Sequence, residues 1–382
     1  MPWSATSPMS ERSRFVALYH ERLYSMTELC ARFQISRKTG YKWLARFQEQ
    51  GLEGLADHSR APQSCPHRTP AATETALLAA KQAHPTWGPK KLLPYLQARQ
   101  PDLPLPAPST AGAVLARHGA TTPRRPRRPK TPPTGGPLAT TAPNDVWAAD
   151  FKGEFPTGDG QLCYPLTITD AHTRYLLLCH GLPSTATTGV LPLWERLFAE
   201  YGLPRAIRTD NGTPFASVAV CGLSALSILW LKRGIEWQRI TPGRPQQNGR
   251  HERFHRTLKA ETARPPAATG VDQQARFDAF REEYNEERPH EALGQLPPAQ
   301  LYVGSGRPLP SRLPEPDYPG HYLVRKVGSE GMVRLRQARI FLSTTLEGEY
   351  VGLEEVADQV WSVYFYRLLL GRFDEQQLRL VG

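Results

Sequence analysis

The chain has 382 residues, more than one compact core accommodates, so two to four domains are expected. Its 47 Lys and Arg exceed its 36 Asp and Glu, a balance that points to a polyanionic partner. Five scattered cysteines without a CxxC argue against a disulfide framework or a Cys/His zinc site, and the absence of an apolar leader core or a run of ~20 apolar residues argues against secretion or membrane spanning, which leaves a cytoplasmic protein with reduced thiols.

The basic excess is lopsided. Residues 1–143 hold 20 Lys/Arg against 8 Asp/Glu, whereas the remainder holds 27 against 28. An attachment region followed by a charge-balanced working domain has this distribution. Within it, "YSMTELCARFQISRKTGYKWLARFQEQG" predicts two short helices around a turn at Gln34 and Ile35. Ser25 and Glu28 form a capping box for the first helix, and Ser36 can cap the second, Arg37 to Gln48. Tyr41, Leu44 and Phe47 are expected to face inward, and Arg37, Lys38, Thr39 and Lys42 outward toward the major groove of DNA. A plain helical hairpin with a solvated basic face is the alternative.

"TETALLAAKQAH", "WGPKKLLPYLQA" and "STAGAVLARHG" predict a second helical set, with a kink or break at Pro94. Residues 1–60 and 70–120 therefore read as tandem helix-turn-helix domains. Residues 121–143 are a Pro- and Thr-rich linker whose Arg124, Arg125, Arg127 and Arg128 can lie along phosphates or simply be solvated.

After Asn144, short apolar runs alternate with helical stretches in the order βββ-α-β-α-β-α, which predicts an α/β domain with a mixed sheet. Asp150 falls inside the strand "VWAADFKG", where a charge is costly unless paired or metal-bound. Asp210 closes the strand "RAIRTD", and ligands gather at strand ends. Glu252 stands alone among bases in "GRPQQNGRHERFHRTLK", sharing a helix face with Arg256 and Lys259. Three carboxylates without Cys or His ligands suit hard cations, Mg²⁺ or Mn²⁺, and two such ions serve phosphoryl transfer. Taken singly, Asp210 fits a turn acid, Glu252 a surface acid paired with Arg256, and Asp150 a buried acid. Asp159 and Asp170 read as turn residues, and His172, His251 and His255 as surface or DNA-facing side chains. A Pro/Gly-rich stretch follows from about Leu293 to Pro319, and residues 315–382 read as a small β-rich domain.

"ADFKG", "TITDAHTRY", "YGLPRAIRTDNGTPFAS", "GRPQQNGRHERFHRTLK" and "YNEERPHEALGQLPPAQLY" resemble the bacterial insertion-sequence transposases of the retroviral-integrase superfamily, the Asp-Asp-Glu recombinases. The resemblance implies a ribonuclease-H-like catalytic core over residues 144–303 and an SH3-like barrel after it. It maps the catalytic, metal-binding acids to Asp150, Asp210 and Glu252, and the basic contacts for DNA ends to Arg256 and Lys259. The second and third acids lie 42 positions apart, longer than is common in the superfamily, and the match of "ERFHRTLK" selects Glu252 over Gln246. The implied activity is cleavage of double-stranded DNA at terminal inverted repeats and joining of the 3′-hydroxyl to a target, by at least a dimer on DNA. The rival from another class is a non-catalytic, sequence-specific DNA-binding regulator derived from a transposase.

Overall fold

The structure, a computed structural model, describes residues 7–58, 68–121, 140–240, 249–336, 338–375 and 379–381. It divides into two compact units, one ending at Arg68 and the other beginning at Thr69.

The first unit is three-helical. α1 spans Pro8–His20, α2 Met26–Arg32 and α3 Arg37–Gln50. The capping box at Ser25 forms, and Ser36 caps α3 through the Thr39 N–H. Gln34 turns the chain at φ 52°. α1 was not anticipated, because it buries only Phe15 and Val16 and has little apolar periodicity. Its role is nonetheless plain. Phe15 packs with Leu29, Cys30, Trp43 and Leu44, while Arg12 lies 3.9 Å over the Trp43 ring and donates to the Leu55 carbonyl. A Cβ at Gly40 would come within 2.8 Å of Cys30 Sγ and 2.9 Å of Phe15 Cζ, so glycine lets α3 cross this tightly. One side-chain expectation fails: Tyr41 is exposed, and Trp43 takes the inward place beside Leu44.

In the second unit, α4 (Ala71–Ala83), α5 (Pro89–Arg99) and α6 (Pro108–Arg117) surround Leu77, Trp87, Leu92, Leu96, Val114 and Leu115. α5 continues through Pro94 without a break. These helices dock on the region that follows through polar side chains. His84 stacks on Trp87 at 3.9 Å and contacts the Glu283 carboxylate at 3.1 Å, and Arg99 pairs with Glu287 at 2.8 Å.

A mixed sheet forms the centre of the unit. Its strands are β1 (Val146–Phe151), β2 (Phe155–Pro156), β3 (Leu162–Asp170), β4 (Leu176–Leu182), β5 (Ala206–Thr209) and β6 (Glu236–Arg239). β4, β3 and β1 are antiparallel neighbours, and β5 and β6 continue from β1 in parallel. α7 (Thr187–Tyr201) and α8 (Ala225–Lys232) cover one face, burying Trp147, Ile168, Trp194, Phe198, Ile207 and Trp230. α9 (Gly249–Thr262) and α10 (Gly270–Glu282) cover the other with Phe254, Leu258, Phe277 and Phe280. Each such buried side chain contributes roughly 1.5–3 kcal/mol of transfer free energy.

The tail corrects the sequence expectation of a closed barrel. β7 (Leu323–Lys326), β10 (Tyr350–Ala357), β11 (Val360–Phe365), β12 (Leu368–Asp374) and β13 (Arg379–Val381) form an open sheet in the order β13-β12-β11-β10-β7. β8 (Met332–Leu335) and β9 (Ala338–Phe341) form a separate two-stranded sheet. Closure needs the first and last strands to bond to each other. Among the described residues β7 and β13 are the sheet's two ends, and the four-residue strands β8 and β9 pair only with each other. Alternating apolar runs alone do not distinguish these outcomes. The sheet's apolar face is filled by Val351, Leu353, Val363, Phe365 and Phe373, and it shares a core with Leu223, Ile228 and Leu231 of the preceding region.

Candidate active site and nucleic-acid interface

Strand alternation decides which side chains meet α9. In β1, Trp147 and Ala149 enter the α7/α8 core, so Ala148 and Asp150 face the other way. In β5, Ile207 enters that core and Thr209 bonds to Trp237 at its margin, so Arg208 and Asp210 share the face of Asp150. The parallel register pairs Ala148 with Arg208 and Ala149 with Thr209. Asp150 and Asp210 each follow directly after the last pair, at neighbouring positions on adjacent strands. Asp150 is mostly buried, its side chain 14% exposed, and Asp210 accepts the Gly212 N–H at 3.1 Å in its turn.

Glu252 lies in the first turn of α9 and is exposed. Arg256 and Lys259 are exposed on the same helix face. Among the described residues Glu252 forms no ion pair with Arg256, so the pairing that a purely structural surface acid would make is missing. The described residues contain no group of three or more His, Cys, Asp and Glu side chains placed to hold a metal ion. The donor chemistry fits a hard divalent cation, since carboxylate oxygens stand at both strand ends, but Glu252 is not drawn into a closed ligand set with them.

The opposite side of α9 carries a polar clamp. His251 and His255 are buried, not DNA-facing as the sequence suggested. Both Nε2 atoms meet Thr167 Oγ1, at 2.9 and 2.8 Å, and that hydroxyl also lies 3.1 Å from the Asp150 carbonyl oxygen. Thr167 is the cross-strand partner of Asp150. Burial pushes His251 down to about 4, and burial with the adjacent His251 and Lys152 pushes His255 down to about 2, so both rings are neutral near pH 7. The i, i+4 spacing with Phe254 and Leu258 on the same side of the helix was the available signal for their burial.

Lys152, just past the end of β1, gave no signal in the sequence, yet it lies near both Asp150 and Lys259. Burial, then the charge of Lys259, lowers its pKa, while Asp150 raises it. Arg174, Arg208 and Arg250 line a cavity beside Ala148 and Thr169 on the same side of the sheet. Asp159 is a turn residue as expected, but Asp170, read as a turn residue from the sequence, is the last residue of β3 and pairs with Trp147. Asp170 is fully buried and accepts from the backbone N–H of Asn144, His172 and Thr173 and from the Thr173 hydroxyl. His172 is exposed, with Nδ1 3.1 Å from the Thr140 carbonyl oxygen.

On the first unit, Arg37, Lys38 and Lys42 are exposed along α3 and Thr39 is half-buried, its hydroxyl 2.9 Å from Ser36 Oγ. Arg124, Arg125, Arg127 and Arg128 lie outside the described residues.

Comparison with known proteins gives a consistent set of matches. Two integrase core domain models match, over residues 140–245 and 233–298. A helix-turn-helix domain model matches residues 11–63, and a homeodomain-like model matches residues 39–115. The chain is 34% identical over 169 residues to the insertion element IS476 uncharacterized 39.2 kDa protein of Xanthomonas euvesicatoria, covering 43% of this chain and 46% of that protein. It is 31% identical over 164 residues to the insertion element IS407 uncharacterized 31.7 kDa protein of Burkholderia multivorans, covering 42% and 56%. The chain thus spans about half the length of these curated relatives. Among solved structures, the simian T-cell lymphotropic virus intasome aligns at a TM-score of 0.39 and 17% identity over 77% of this chain and 97% of that one. The HTLV-2 integrase catalytic core domain in complex with magnesium aligns at 0.34 and 13% over 44% and 99%. No helix among the described residues is long and apolar enough to cross a membrane.

Proposed function

The chain belongs to the insertion-sequence type of the Asp-Asp-Glu integrase and transposase superfamily, with N-terminal helix-turn-helix domains and an integrase core, and from that premise we propose that it is a DNA transposase. It binds the terminal inverted repeats of an insertion element, cleaves the phosphodiester at each end, and joins the freed 3′-hydroxyl to target DNA. It works as a dimer or larger homo-oligomer on double-stranded DNA, in the cytoplasm of a bacterium.

The observation that carries this reading is that Asp150 in β1 and Asp210, the residue after β5, each follow directly after the last register pair of these adjacent strands. Asp150, Asp210 and Glu252 would hold two Mg²⁺ or Mn²⁺ ions. Bound there, such ions would lower the pKa of an attacking water or hydroxyl and neutralise charge on the leaving oxygen. The chain's own groups do the rest. Thr167, His251 and His255 hold α9, and with it Glu252, against the strand that carries Asp150. Lys152, Arg256 and Lys259 supply positive charge for the backbone of the DNA end. In the first unit, α3 presents Arg37, Lys38, Thr39 and Lys42 to DNA, while the bases of 124–128 would follow phosphates.

The test uses the full chain with a labelled element-end duplex. Asp150→Asn should abolish metal-dependent cleavage and joining while end binding stays intact. Strand transfer by this variant would defeat the catalytic assignment. Binding without cleavage by the native protein, under any divalent cation, would favour the DNA-binding regulator.

A further inference from the structure

The cavity beside the acid pair has an electrostatic character that its own residues do not resolve. Arg174, Arg208 and Arg250 all border it, from the turn after β3, from β5 and from the start of α9. Like charges brought together in a partly buried space repel strongly unless an anion lies between them. None of the three forms an ion pair among the described residues. Their partners are neutral. Arg208 donates to Gln238 Oε1 at 3.1 Å and Arg250 to the Ala171 carbonyl at 3.2 Å. Among the described residues the buried Arg208 Nε has no hydrogen-bond partner. Among the described residues that line the cavity the one carboxylate is Asp170, and its oxygens are already taken by four donors at 2.7–3.1 Å.

The backbone points the same way. Arg174 sits at φ 67°, a left-handed conformation that glycine or asparagine adopts more cheaply than arginine. The position keeps a guanidinium at a conformational cost, and strain of this kind concentrates where a side chain must be aimed.

Position supplies the ligand. Arg208 precedes Asp210 by two residues on the same face, as Ala148 precedes Asp150, and the two are register partners. Two residues of strand are ~6.6 Å long. An anion in the cavity therefore lies within a nucleotide or two of any phosphodiester at Asp150 and Asp210. Guanidinium forks match phosphate oxygens in geometry as well as charge.

We propose that Arg174, Arg208 and Arg250 seat one non-reacting backbone phosphate of the DNA strand that crosses Asp150 and Asp210. The proposal rests on the transposase reading for the identity of the strand. The seat fixes which phosphodiester reaches the acids, because a strand anchored one step away can slide only by leaving it.

The experiment measures binding of the full chain to a labelled duplex of arbitrary sequence across a salt series, without divalent metal, and separately Mg²⁺-dependent nicking of an element-end duplex. The variants are Arg250→Ala, which alters an exposed residue, Arg174→Ala, and Arg174→Lys. Arg196→Ala, exposed on α7 across the sheet, is the comparator. Arg250→Ala and Arg174→Ala should each make the salt slope shallower by about one unit, and Arg174→Lys should restore most of it. Uncharged methylphosphonate at one linkage beside the nick should weaken the native protein and leave Arg174→Ala unaffected. Slopes equal to that of Arg196→Ala, or a loss that Arg174→Lys does not rescue, would overturn the seat. Absence of nicking by the native chain would instead count against the transposase reading, because the salt slopes are read without catalysis.

Discussion

His255 turns its Nδ1 toward the Asp150 carboxylate at 3.9 Å, yet it does so as a neutral ring. Burial and two neighbouring positive or titratable groups hold its pKa at about 2. The contact is therefore no ion pair near neutral pH. His255 itself is held by its other nitrogen, at the end of a hydrogen-bonded chain that begins at His251 and passes through the Thr167 hydroxyl.

That chain gives a direct prediction. Thr167→Val keeps the shape but leaves two buried imidazole nitrogens without their partner, at a cost of ~1–3 kcal/mol for each unsatisfied group. The melting temperature should fall, and metal-dependent nicking should fall further than DNA binding, as α9 loses its anchor beside Asp150. Thr167→Ser should restore both. A Thr167→Val protein that melts and nicks like the native one would remove the clamp from the account.

α9 should separate by role. Glu252→Gln retains size but removes an anion, so cleavage should collapse while end binding holds level and melting hardly moves. Phe254→Ala should act through stability, because truncating a buried Phe costs ~3–5 kcal/mol. Cleavage assays and thermal melts on the two variants decide this. If Glu252→Gln cleaves normally, the residue is a surface acid.

The first helical unit should read DNA through α3. Arg37→Ala and Lys38→Ala should weaken end binding, and Tyr41→Ala joins them because that ring is 56% exposed on the helix. A loss confined to the cognate end marks a base contact; a uniform loss across sequences marks a phosphate contact. Competition binding with scrambled duplex separates the two.

Acid should destabilise the second unit early. His290 is pushed down to about 3, first by burial and then by Lys91, Arg288 and Arg174, and His251 is down to about 4. Above pH ~6.5 these rings are neutral in both folded and unfolded chains, and stability is at its full value. As pH falls below that, the unfolded chain takes up protons that the fold refuses. Stability then drains toward the folded pKa at up to ~1.4 kcal/mol per pH unit per ring. His290→Gln should flatten melting temperature against pH between about 6.5 and 4. An unchanged slope would show that the ring is not the source.

Much of this architecture could be read from the sequence because period and punctuation agreed. Ser25 with Glu28 announced α2, and the strand around Asp150 was visible as an apolar run. The failures share a cause. α1 holds its place through Arg12 on Trp43 and two apolar contacts, which leave little periodicity. His251 and His255 resembled the neighbouring cations, although their burial depends on Thr167, 84 and 88 positions away. Arg174 and Arg208 acquire meaning only once β3 and β5 bring them to one cavity. Whether the tail closes depends on which strands reach each other, and the runs themselves carry no record of that.

The tail's unclosed sheet has a consequence for association. A barrel consumes all its backbone donors and acceptors, whereas this sheet ends in two outer rails, one on β7 and one on β13. The rails are short, four and three residues, and β7 carries exposed Arg325 and Lys326. Brevity and positive charge are what keep such an edge from polymerising with its own kind.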